Sequence, residues 1–430
     1  MRQYVHGRGE PPTYPDNNAS HQSLMRYVGL LCNCSMTRDP MEKLSPSLVN
    51  RAFLIDRLLR PDDIGVFLYS PLEVSSPLEV PGYTISGNTL QATRLPMPRV
   101  NANWTYGTRR MLKRGIGYNH FKRLLQAHDL RAYVPYAFAE RVSNKRKAYD
   151  LVRTFDPALH PHTEDYSGAP LQVEAFLGRS SCVFIKPRSG NRGNGIFVLR
   201  PGPGGLHLTF YDYGGQRRFG PLTPESMLAV VQAAAGGTSY VIQEGVESLQ
   251  AEGCVFDVRV VMVNDGSRWH EIVETRLAPP GSDLSNVFQG GSIEVTEAVL
   301  SRALGEAAAQ QVLRSIAAKA HELARHLETD FPGELMEVGF DVVVDRHCGL
   351  HVVEINSKPG VAGFGSETRF FEWTPADEVH YRRWVQPHVT HLAAFLRAKL
   401  DEGAALSETR PGAQARSRAS PGPSDRFPEP

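Results

Sequence analysis

The sequence has few cysteines and no long apolar run, and each absence excludes a class of protein. Its five cysteines are odd in number, lie scattered along 430 residues and include no Cys-x-x-Cys pair. Neither a disulfide framework nor a structural zinc site is therefore predicted. No apolar stretch reaches the roughly 20 residues needed to span a bilayer, and the polar N-terminus lacks the apolar segment of a signal peptide. We expect a cytoplasmic protein with reduced thiols that does not bind a membrane.

Two catalytic signatures are also missing. No Gly-Lys-Ser/Thr follows a glycine-rich turn at the start of a helix, which excludes a P-loop nucleotide site. The sequence offers no Ser-His-Asp or Cys-His constellation either, so it indicates no protein nucleophile.

Neither charge is in excess, since the sequence has 47 lysines and arginines and 46 aspartates and glutamates. Net charge therefore favours no polyanionic or polycationic partner. The segment from Thr105 to Tyr149 is rich in lysine and arginine. Such a run is typical of a solvated helical face, or it steers an anionic substrate to a neighbouring cleft. Nucleic-acid binding is the weaker alternative, because no aromatic-and-basic motif of a known module accompanies the run.

Hydrophobic residues make up 41% of the chain and charged residues 22%, values typical of a soluble globular protein of two or three domains. Both ends, 1–22 and 401–430, are predicted to be disordered from their composition. Between them we predict an N-terminal α/β domain (23–140) and two lobes (141–250 and 251–400). Strands mixed with helices and antiparallel hairpins indicate a mixed α/β or α+β fold.

Periodicity and turn residues place the elements that matter for a site. Strands are predicted at 64–69, 182–186, 196–199, 240–244, 256–263, 339–345 and 350–355, with turns at Pro81-Gly82 and Gly87-Asn88. A helix is predicted to begin after Ser143-Asn144, and one long helix to run from 296 to 327.

The final hairpin carries the strongest site signal. Its strands flank Arg346–Gly349, a turn whose glycine can adopt a positive φ. A turn centred on that segment pairs Asp341 with Glu354, and alternation places Asn356 on the same face as Glu354. Two carboxylates facing each other would repel unless a cation lies between them, and such oxygen ligands suit Mg²⁺. A solvated hairpin face is the alternative, but the apolar strand and the following Ser357–Gly360 favour the metal.

A glycine-rich segment follows the strand that ends in Lys186. A lysine at such a strand end points into a cleft, and Gly190, Gly193 and Gly195 allow backbone N–H groups to approach phosphate oxygens. A flexible glycine hairpin without a ligand is an equally good interpretation of this segment alone.

Three further segments place polar groups at strand ends or on apolar strands. The strand ending in Gln243-Glu244, with Val246 beyond it, can offer backbone groups to an adenine edge. Asp257 and Arg259 share one strand face, where they form a mutual ion pair or leave Arg259 to face an anion. Arg276, with Asn286 and the Gly290-Gly291 pair, can hold a phosphate or carboxylate, and a plain surface loop is the alternative.

The order of these motifs resembles the ATP-grasp superfamily, and within it the endospore coat-associated YheC/YheD type. The resemblance spans about residues 25–395. It is carried by a lysine-bearing helix, Ile185-Lys186-Pro187 with its glycine loop, Gln243-Glu244, Phe256–Arg259, Ser285-Asn286 and the run Glu354–Gly360. Looser similarity extends to Val66–Pro71, Val80–Tyr83 and Leu95–Pro98. The resemblance implies two α+β lobes that clasp ATP, preceded by a small α/β N-terminal domain.

The same resemblance implies a role for each residue in a site for ATP and Mg²⁺, with one or two ions. Lys145 and Lys186 would hold the ATP phosphates, with Lys147 as the alternative first lysine, and the loop from Gly190 through Gly193 to Gly195 would close over them. Gln243, Glu244 and Val246 would surround the adenine. Asp341, Glu354 and Asn356 would bind the metal, and Arg259, Arg276 and Asn286 would hold the γ-phosphate and the acyl-phosphate.

The implied enzyme is an ATP-dependent carboxylate–amine ligase. A small-molecule or peptide carboxylate would attack the γ-phosphate, and an amine or similar nucleophile would then displace phosphate from the acyl-phosphate. Two alternatives stay open: a phosphotransferase on the same fold, and a non-catalytic spore-coat or scaffold protein with an ATP-grasp domain. The clustered carboxylates speak against the scaffold.

Overall fold

The computed structural model describes residues 25–32, 44, 46–104, 117–190, 193–361 and 379–408. These residues form three β-sheets with helices packed on them, which confirms the predicted mixed α+β class. The predicted disordered segment 1–22 and residues 409–430 lie outside the described residues. Within the described ranges, no helix is both long enough and apolar enough to cross a membrane.

The first sheet has the strand order β4-β3-β2-β1-β5-β6 and is parallel from β2 to β6. Its elements are β1 (Arg26–Leu31), α1 (Pro46–Leu59), β2 (Ile64–Tyr69), β3 (Val80–Ser86), β4 (Thr89–Leu95), β5 (Val100–Asn103), α2 (Gly117–Ala127) and β6 (Arg131–Tyr133). The central strand β2 is buried along its whole length, as expected for a strand of a parallel region covered on both faces.

The second sheet is antiparallel, with the order β11-β10-β9-β8-β12-β7. Its segment contains α3 (Tyr136–Ser143), α4 (Lys145–Phe155), β7 (Thr163–Asp165), α5 (Pro170–Leu177), β8 (Val183–Pro187), β9 (Ile196–Gly202), β10 (Gly205–Asp212), β11 (Gly215–Leu222), α6 (Pro224–Ala235) and β12 (Tyr240–Glu244). This lobe has a small hydrophobic core of its own, which α5 and α6 cover.

The third sheet is also antiparallel, with the order β16-β15-β14-β17-β18 and a short β13 beside β14. Its elements are β13 (Gln250–Ala251), β14 (Cys254–Asn264), β15 (Trp269–Leu277), β16 (Ser292–Glu294), α7 (Thr296–Leu304), α8 (Glu306–Asp330), β17 (Glu337–Val344), β18 (Leu350–Asn356) and α9 (Gln386–Glu408). The first and third sheets share one hydrophobic core, to which α1, α8 and α9 contribute.

The predicted strands are all present, and β2 and β12 have the predicted bounds. The helix predicted after Ser143-Asn144 is α4, which begins at Lys145. Asn144 caps it, because its side chain accepts from the N–H groups of Arg146 and Lys147.

The turn predicted at Pro81-Gly82 is wrong, because both residues lie inside β3. Gly82 is needed there for close packing, since a Cβ would lie 2.4 Å from the Phe67 ring and 2.6 Å from the Leu68 carbonyl. Pro81 lies one residue beyond the last pair between β3 and β2, where a missing N–H costs little.

Two helix boundaries also differ from the predictions. The single long helix predicted over 296–327 is two helices, because Gly305 adopts φ 79° and ψ 160° between α7 and α8. The last helix, α9, continues to Glu408, so 401–408 is helical rather than disordered. Alanine, leucine and glutamate in that segment favour a helix, and Asp401 forms an ion pair with Arg26 at 2.9 Å.

A buried polar network joins the first sheet to the third. The fully buried carboxylate of Glu337 accepts from Trp104 Nε1 at 2.7 Å and pairs with Arg51 at 3.3 Å and with His388 Nε2 at 2.9 Å. Burial alone would raise the pKa of Glu337, but Arg51 and His388 lower it. The carboxylate is therefore charged in the folded protein, and it ties β17 to α1.

Replacing Glu337 with glutamine is expected to lower the free energy of unfolding by about 3–5 kcal/mol, because the buried Arg51 charge loses its carboxylate. Urea unfolding measures the loss. Glu297→Gln is the matched control, since Glu297 pairs with Arg383 at 2.7 Å on the surface and its loss costs about 1 kcal/mol or less. Equal losses in the two variants would contradict a charged network.

Candidate active site

The β17–β18 hairpin brings the predicted carboxylates together. Asp341 pairs with Glu354, and Gly339 pairs with Asn356, as the predicted register requires. A bulge follows Asp341. From Val342 toward the turn the pairing is shifted by one residue, so Val353 has no paired residue on β17. The Asn356 side chain is partly buried, and its Nδ2 has no hydrogen-bond partner in the part of the chain that the structure describes.

The turn of this hairpin differs from the predicted one. Cys348 has the positive φ, 63°, and the glycine after it does not. The Asp345 carboxylate organises the turn by accepting from the N–H groups of His347 and Gly349, each at 2.8 Å. Gly349 is required for another reason, because a Cβ there would lie 2.5 Å from that carboxylate.

Two arginines lie across the strands from two aspartates. Arg259 donates to both oxygens of Asp341 at 2.8 Å, and Arg276 donates to both oxygens of Asp257 at 2.6 Å. Arg276 also reaches Asp341 at 2.8 Å. The mutual Asp257–Arg259 ion pair considered from the sequence is therefore wrong. Each arginine pairs instead with the residue directly opposite on the neighbouring strand.

This network keeps Asp341 ionised although it is only 1% exposed. Burial alone would raise the pKa of Asp341, but the charges of Arg259 and Arg276 hold it well below its usual range. Burial likewise opposes the charge of Arg276, and Asp257 with Asp341 raises the pKa of that guanidinium. Geometry and charge are thus fixed before any ligand enters, which is the condition for electrostatic catalysis.

The first turn of α4 points one lysine into the cleft. Lys145 Nζ donates to the Gly190 carbonyl at 3.0 Å and lies 3.5 Å from Glu354. Lys147 lies outside the cleft, where it pairs with Glu140 at 3.3 Å and is half exposed. Of the two lysines weighed from the sequence, the structure places Lys145 at the cleft.

Lys186 projects from β8 into the same cleft. Its Nζ donates to Gln243 Oε1 at 2.6 Å, and Gln243 in turn donates to Thr163 at 2.9 Å. The nitrogen also lies 4.8 Å from the centre of the Phe184 ring. Burial lowers the pKa of Lys186 to about 8, with Lys145 as the next cause. Gln243 is itself buried, so its side chain is held in place and can position Lys186.

The glycine loop closes one side of the cleft. Gly193 and Gly195 adopt φ values of 70° and 77°, a conformation that side-chain-bearing residues rarely adopt. The Gly195 N–H donates to the Tyr211 carbonyl at 2.7 Å. Gly190 and Gly193 line the cleft, whereas Gly195 lies behind them.

The end of β12 forms another wall. The Glu244 N–H donates to the His162 carbonyl at 3.0 Å, and the Glu244 carboxylate pairs with Arg179 at 2.7 Å. The Val246 N–H donates to no backbone carbonyl in the described part of the chain. It is therefore one group at this strand end that can bind a ligand edge.

These elements enclose a cleft between the second and third sheets, with a volume of about 1040 Å³ including the part open to solvent. The predicted site residues that line it are Lys145, Lys186, Gly190, Gly193, Gln243, Glu244, Val246, Arg276, Asn286, Asp341 and Glu354. The predicted residues Arg259, Gly195 and Asn356 are not among the lining residues. Arg259 touches the cleft only through its partner Asp341.

Among the lining residues that the sequence did not predict as site residues are Phe184, Asp257, Asp283 and Ser285. Phe184 precedes Lys186 by two residues, so strand alternation was enough to place it on the same face. Ser285 Oγ donates to Asp257 at 2.5 Å. The two residues are distant in sequence, so no local pattern predicts this contact. The predicted Asn286 lines the cleft, and its side-chain oxygen caps a short 3₁₀ helix by accepting from the Phe288 N–H.

Two antiparallel sheets that face one another over lysines, arginines and carboxylates, with a glycine loop at the rim, define an ATP-grasp protein. The model of the family described as "YheC/D like ATP-grasp" matches residues 136–376, more than half of the chain. The chain belongs to this family, which confirms the resemblance found in its sequence.

The chain is also similar to two curated relatives and to solved structures. The endospore coat-associated protein YheD of Bacillus subtilis is 25% identical over 252 residues, covering 56% of this chain and 52% of YheD. YheC of the same organism is 20% identical over 190 residues, 44% of this chain and 52% of YheC. The chain spans about half the length of these relatives. D-alanyl-alanine synthetase A of Vibrio cholerae is 13% identical, with a TM-score of 0.49, over 88% of this chain and 99% of that one.

Proposed function

We propose that this chain binds Mg-ATP in the cleft between its second and third sheets and activates a carboxylate for ligation to an amine. One observation carries the proposal: two lysines and two carboxylates from distant parts of the chain converge there. Lys145 and Lys186 come from one lobe, and Asp341 and Glu354 come from the other. A cleft that presents cations beside oxygen ligands suits a nucleotide triphosphate with a divalent ion.

The nucleotide would lie with its base near β12 and its phosphates near the glycine loop. The Val246 N–H would meet an adenine edge, and Phe184, Ile196 and Val343 would supply apolar walls. Lys186 and Lys145 would then meet the phosphates. Their positive charges would compensate the nucleotide at the point where the Gly190–Gly195 loop closes over it.

The described donors also fit Mg²⁺. Asp341, Glu354 and Asn356 would supply only oxygen ligands, as Mg²⁺ prefers. The Asn356 Nδ2, which has no hydrogen-bond partner among the described residues, would donate to a bound anion. One or two ions bound there would draw charge from the β- and γ-phosphates. Arg259 and Arg276 hold the Asp341 carboxylate in its ligating orientation.

The chemistry would follow in two steps that need no protein nucleophile. A substrate carboxylate attacks the γ-phosphorus, forming an acyl-phosphate and releasing ADP. An amine then attacks the acyl carbon, forming an amide and releasing phosphate. Arg276 lines the cleft and would stabilise negative charge on the transferred group, and Asn286 faces it from the opposite loop. Positioning of the reactants and compensation of their charge would accelerate both steps.

Acyl-phosphate formation is tested by trapping with hydroxylamine. The full chain is incubated with Mg-ATP, a panel of amino acids and peptides, and hydroxylamine, which converts an acyl-phosphate to a hydroxamate. ADP release with a hydroxamate supports the ligase. ADP release with a stable phosphorylated product supports the phosphotransferase, and absence of nucleotide binding supports the non-catalytic scaffold that the coat-associated relatives suggest.

We also propose that the chain divides functionally at the boundaries expected from its sequence. The segment 23–140 would form the N-terminal α/β domain and carry the acceptor side. The lobes 141–250 and 251–400 would clasp the nucleotide. The separate hydrophobic core of the second sheet supports the middle lobe as a unit.

Nucleotide affinity is expected to weaken above pH 8. Lys186 has a pKa of about 8, and only its protonated form attracts phosphate, so affinity should fall about tenfold per pH unit above that value. Calorimetry with Mg-ADP from pH 7 to 9.5 measures the change. Lys186→Arg should flatten the profile, because arginine stays charged throughout this range. A wild-type profile that is already flat would contradict the role of Lys186.

A further inference from the structure

A cluster of two histidines and one aspartate lies away from the cleft, where the turn between β14 and β15 meets α9. Asp265 is in the turn, His270 is at the start of β15, and His391 is on α9. Their potential ligand atoms all lie within 4.8 Å of one another. The turn packs closely on the helix, because a Cβ on Gly266 would lie 2.8 Å from Ala398 Cβ. The three side chains therefore lie at a fixed junction between two elements.

The carboxylate of Asp265 is already oriented by its own turn. Its Oδ1 accepts from the N–H groups of Ser267 and Arg268 at 2.8 and 3.0 Å and from the Ser267 hydroxyl at 2.7 Å. The other oxygen, Oδ2, faces His270 Nε2 at 2.6 Å. One oxygen is thus fully used by the turn, and the second is aimed at the histidines.

The two imidazole rings are stacked. Their centres are 3.7 Å apart and their planes differ by 9°. His391 is partly exposed and forms no hydrogen bond through its ring nitrogens with any described residue. Ligation of one ion by both rings requires His391 to turn, which breaks no hydrogen bond among the described residues. It also requires the ion to replace the hydrogen bond between His270 Nε2 and Asp265 Oδ2.

We propose that Asp265, His270 and His391 bind a transition-metal ion of the Zn²⁺ class, which clamps α9 onto the β14–β15 turn. Two imidazole nitrogens and one carboxylate oxygen suit Zn²⁺, and water completes a tetrahedron around three protein ligands. Mg²⁺ prefers an all-oxygen octahedral set, so this site and the oxygen-lined cleft select different ions. The clamp stabilises the end of β14, the strand that also carries Asp257 and Arg259.

Zn²⁺ itself is the probe. The full chain without nucleotide is titrated with Zn²⁺ by calorimetry, and Tm is recorded with Zn²⁺ and with Mg²⁺. One Zn²⁺ per chain is expected, together with a Tm increase that Mg²⁺ does not reproduce. His391→Ala should weaken Zn²⁺ binding at least about tenfold. Asp265→Asn should do the same and keeps the oxygen that its turn uses, so it serves if His391→Ala fails to fold.

His321→Ala is the matched control, because His321 pairs with Glu271 of the same hairpin at 2.7 Å and should leave Zn²⁺ affinity unchanged. Co²⁺ gives an independent signature: nitrogen and oxygen ligands produce visible d–d bands without the thiolate charge-transfer band of a cysteine site. Absence of Zn²⁺ binding by the wild-type chain would overturn the proposal. So would equal affinity in the wild type, His391→Ala and Asp265→Asn, or a thiolate band with Co²⁺.

Discussion

Replacing Glu354 with glutamine is expected to slow Mg-ATP turnover about 10²–10³-fold while leaving the fold intact. The amide keeps the volume of the side chain and removes the negative charge that the proposed metal needs. Among the residues that the structure describes, this carboxylate makes one long contact, 3.5 Å to Lys145, and its side chain is 35% exposed. Stability therefore depends little on it. Asp341 alone cannot make up for the lost charge, because Arg259 and Arg276 already compensate the charge of that carboxylate.

ADP release at a series of Mg²⁺ concentrations measures this effect, and the melting temperature reports the fold. Glu247→Gln is the matched control, since Glu247 lies beyond the other end of the same hairpin, paired with Arg346 at 3.3 Å on the surface. We expect it to turn over ATP at the wild-type rate. Turnover by Glu354→Gln within threefold of wild type would show that the hairpin does not hold the catalytic metal.

The hairpin that carries Glu354 was predictable from sequence because its pairing is local. A short turn fixes the register of two adjacent strands, and alternation then decides which side chains share a face. The pairing of Asp341 with Glu354 followed from this alone. The bulge after Asp341 did not follow from it. Neither did the positive φ of Cys348, which lies in a turn held by the Asp345 carboxylate.

The partners of Arg259 and Arg276 were not predictable from sequence, because their pairings are not local. Arg259 pairs with Asp341, which is 82 residues away, and this contact exists only because β14 and β17 are neighbours in the sheet. Sequence alternation placed Arg259 and Asp257 on one face and suggested that they pair with each other. The strand order gives each residue a different partner. A single sequence does not reveal the strand order of a sheet built from distant segments.

Helix geometry resolved a choice that the sequence left open. Lys145 and Lys147 are two residues apart, so they point to different sides of α4. The Asn144 cap fixes where the helix begins, and the bridge between Asn144 and Ser189 fixes how it meets the glycine loop. Together these contacts turn Lys145 toward the cleft and Lys147 toward solvent.

Replacing Lys186 with methionine is expected to stabilise the protein in the absence of nucleotide. Its pKa falls from 10.5 to about 8 on folding, and at about 1.4 kcal/mol per unit this is a cost of about 3 kcal/mol at pH 7. Methionine removes that cost but leaves Gln243 Oε1 without its donor, which costs about 1 kcal/mol. The net gain in free energy of unfolding is then about 2 kcal/mol.

The sign of this effect depends on pH. A lysine whose pKa is lower in the folded than in the unfolded state destabilises the fold wherever both states are charged, which is below about pH 8. The penalty diminishes as pH rises through 8 and is gone above 10.5. The advantage of Lys186→Met should therefore be full at pH 7 and absent near pH 10.5.

The same substitution should remove the response to nucleotide. Mg-ATP at 100 times its Kd stabilises a binding protein by about 2.7 kcal/mol, so the wild-type Tm should rise and that of Lys186→Met should not. Lys319→Met is the control, because the hydrogen bond that Lys319 donates to Glu322 raises the pKa of Lys319 and its loss should bring no stabilisation. A Lys186→Met protein that is less stable than wild type at pH 7, or that still responds to Mg-ATP, would contradict this account. A variant that is more stable than wild type but does not respond to Mg-ATP would show that Lys186 destabilises the fold and is needed to bind phosphate.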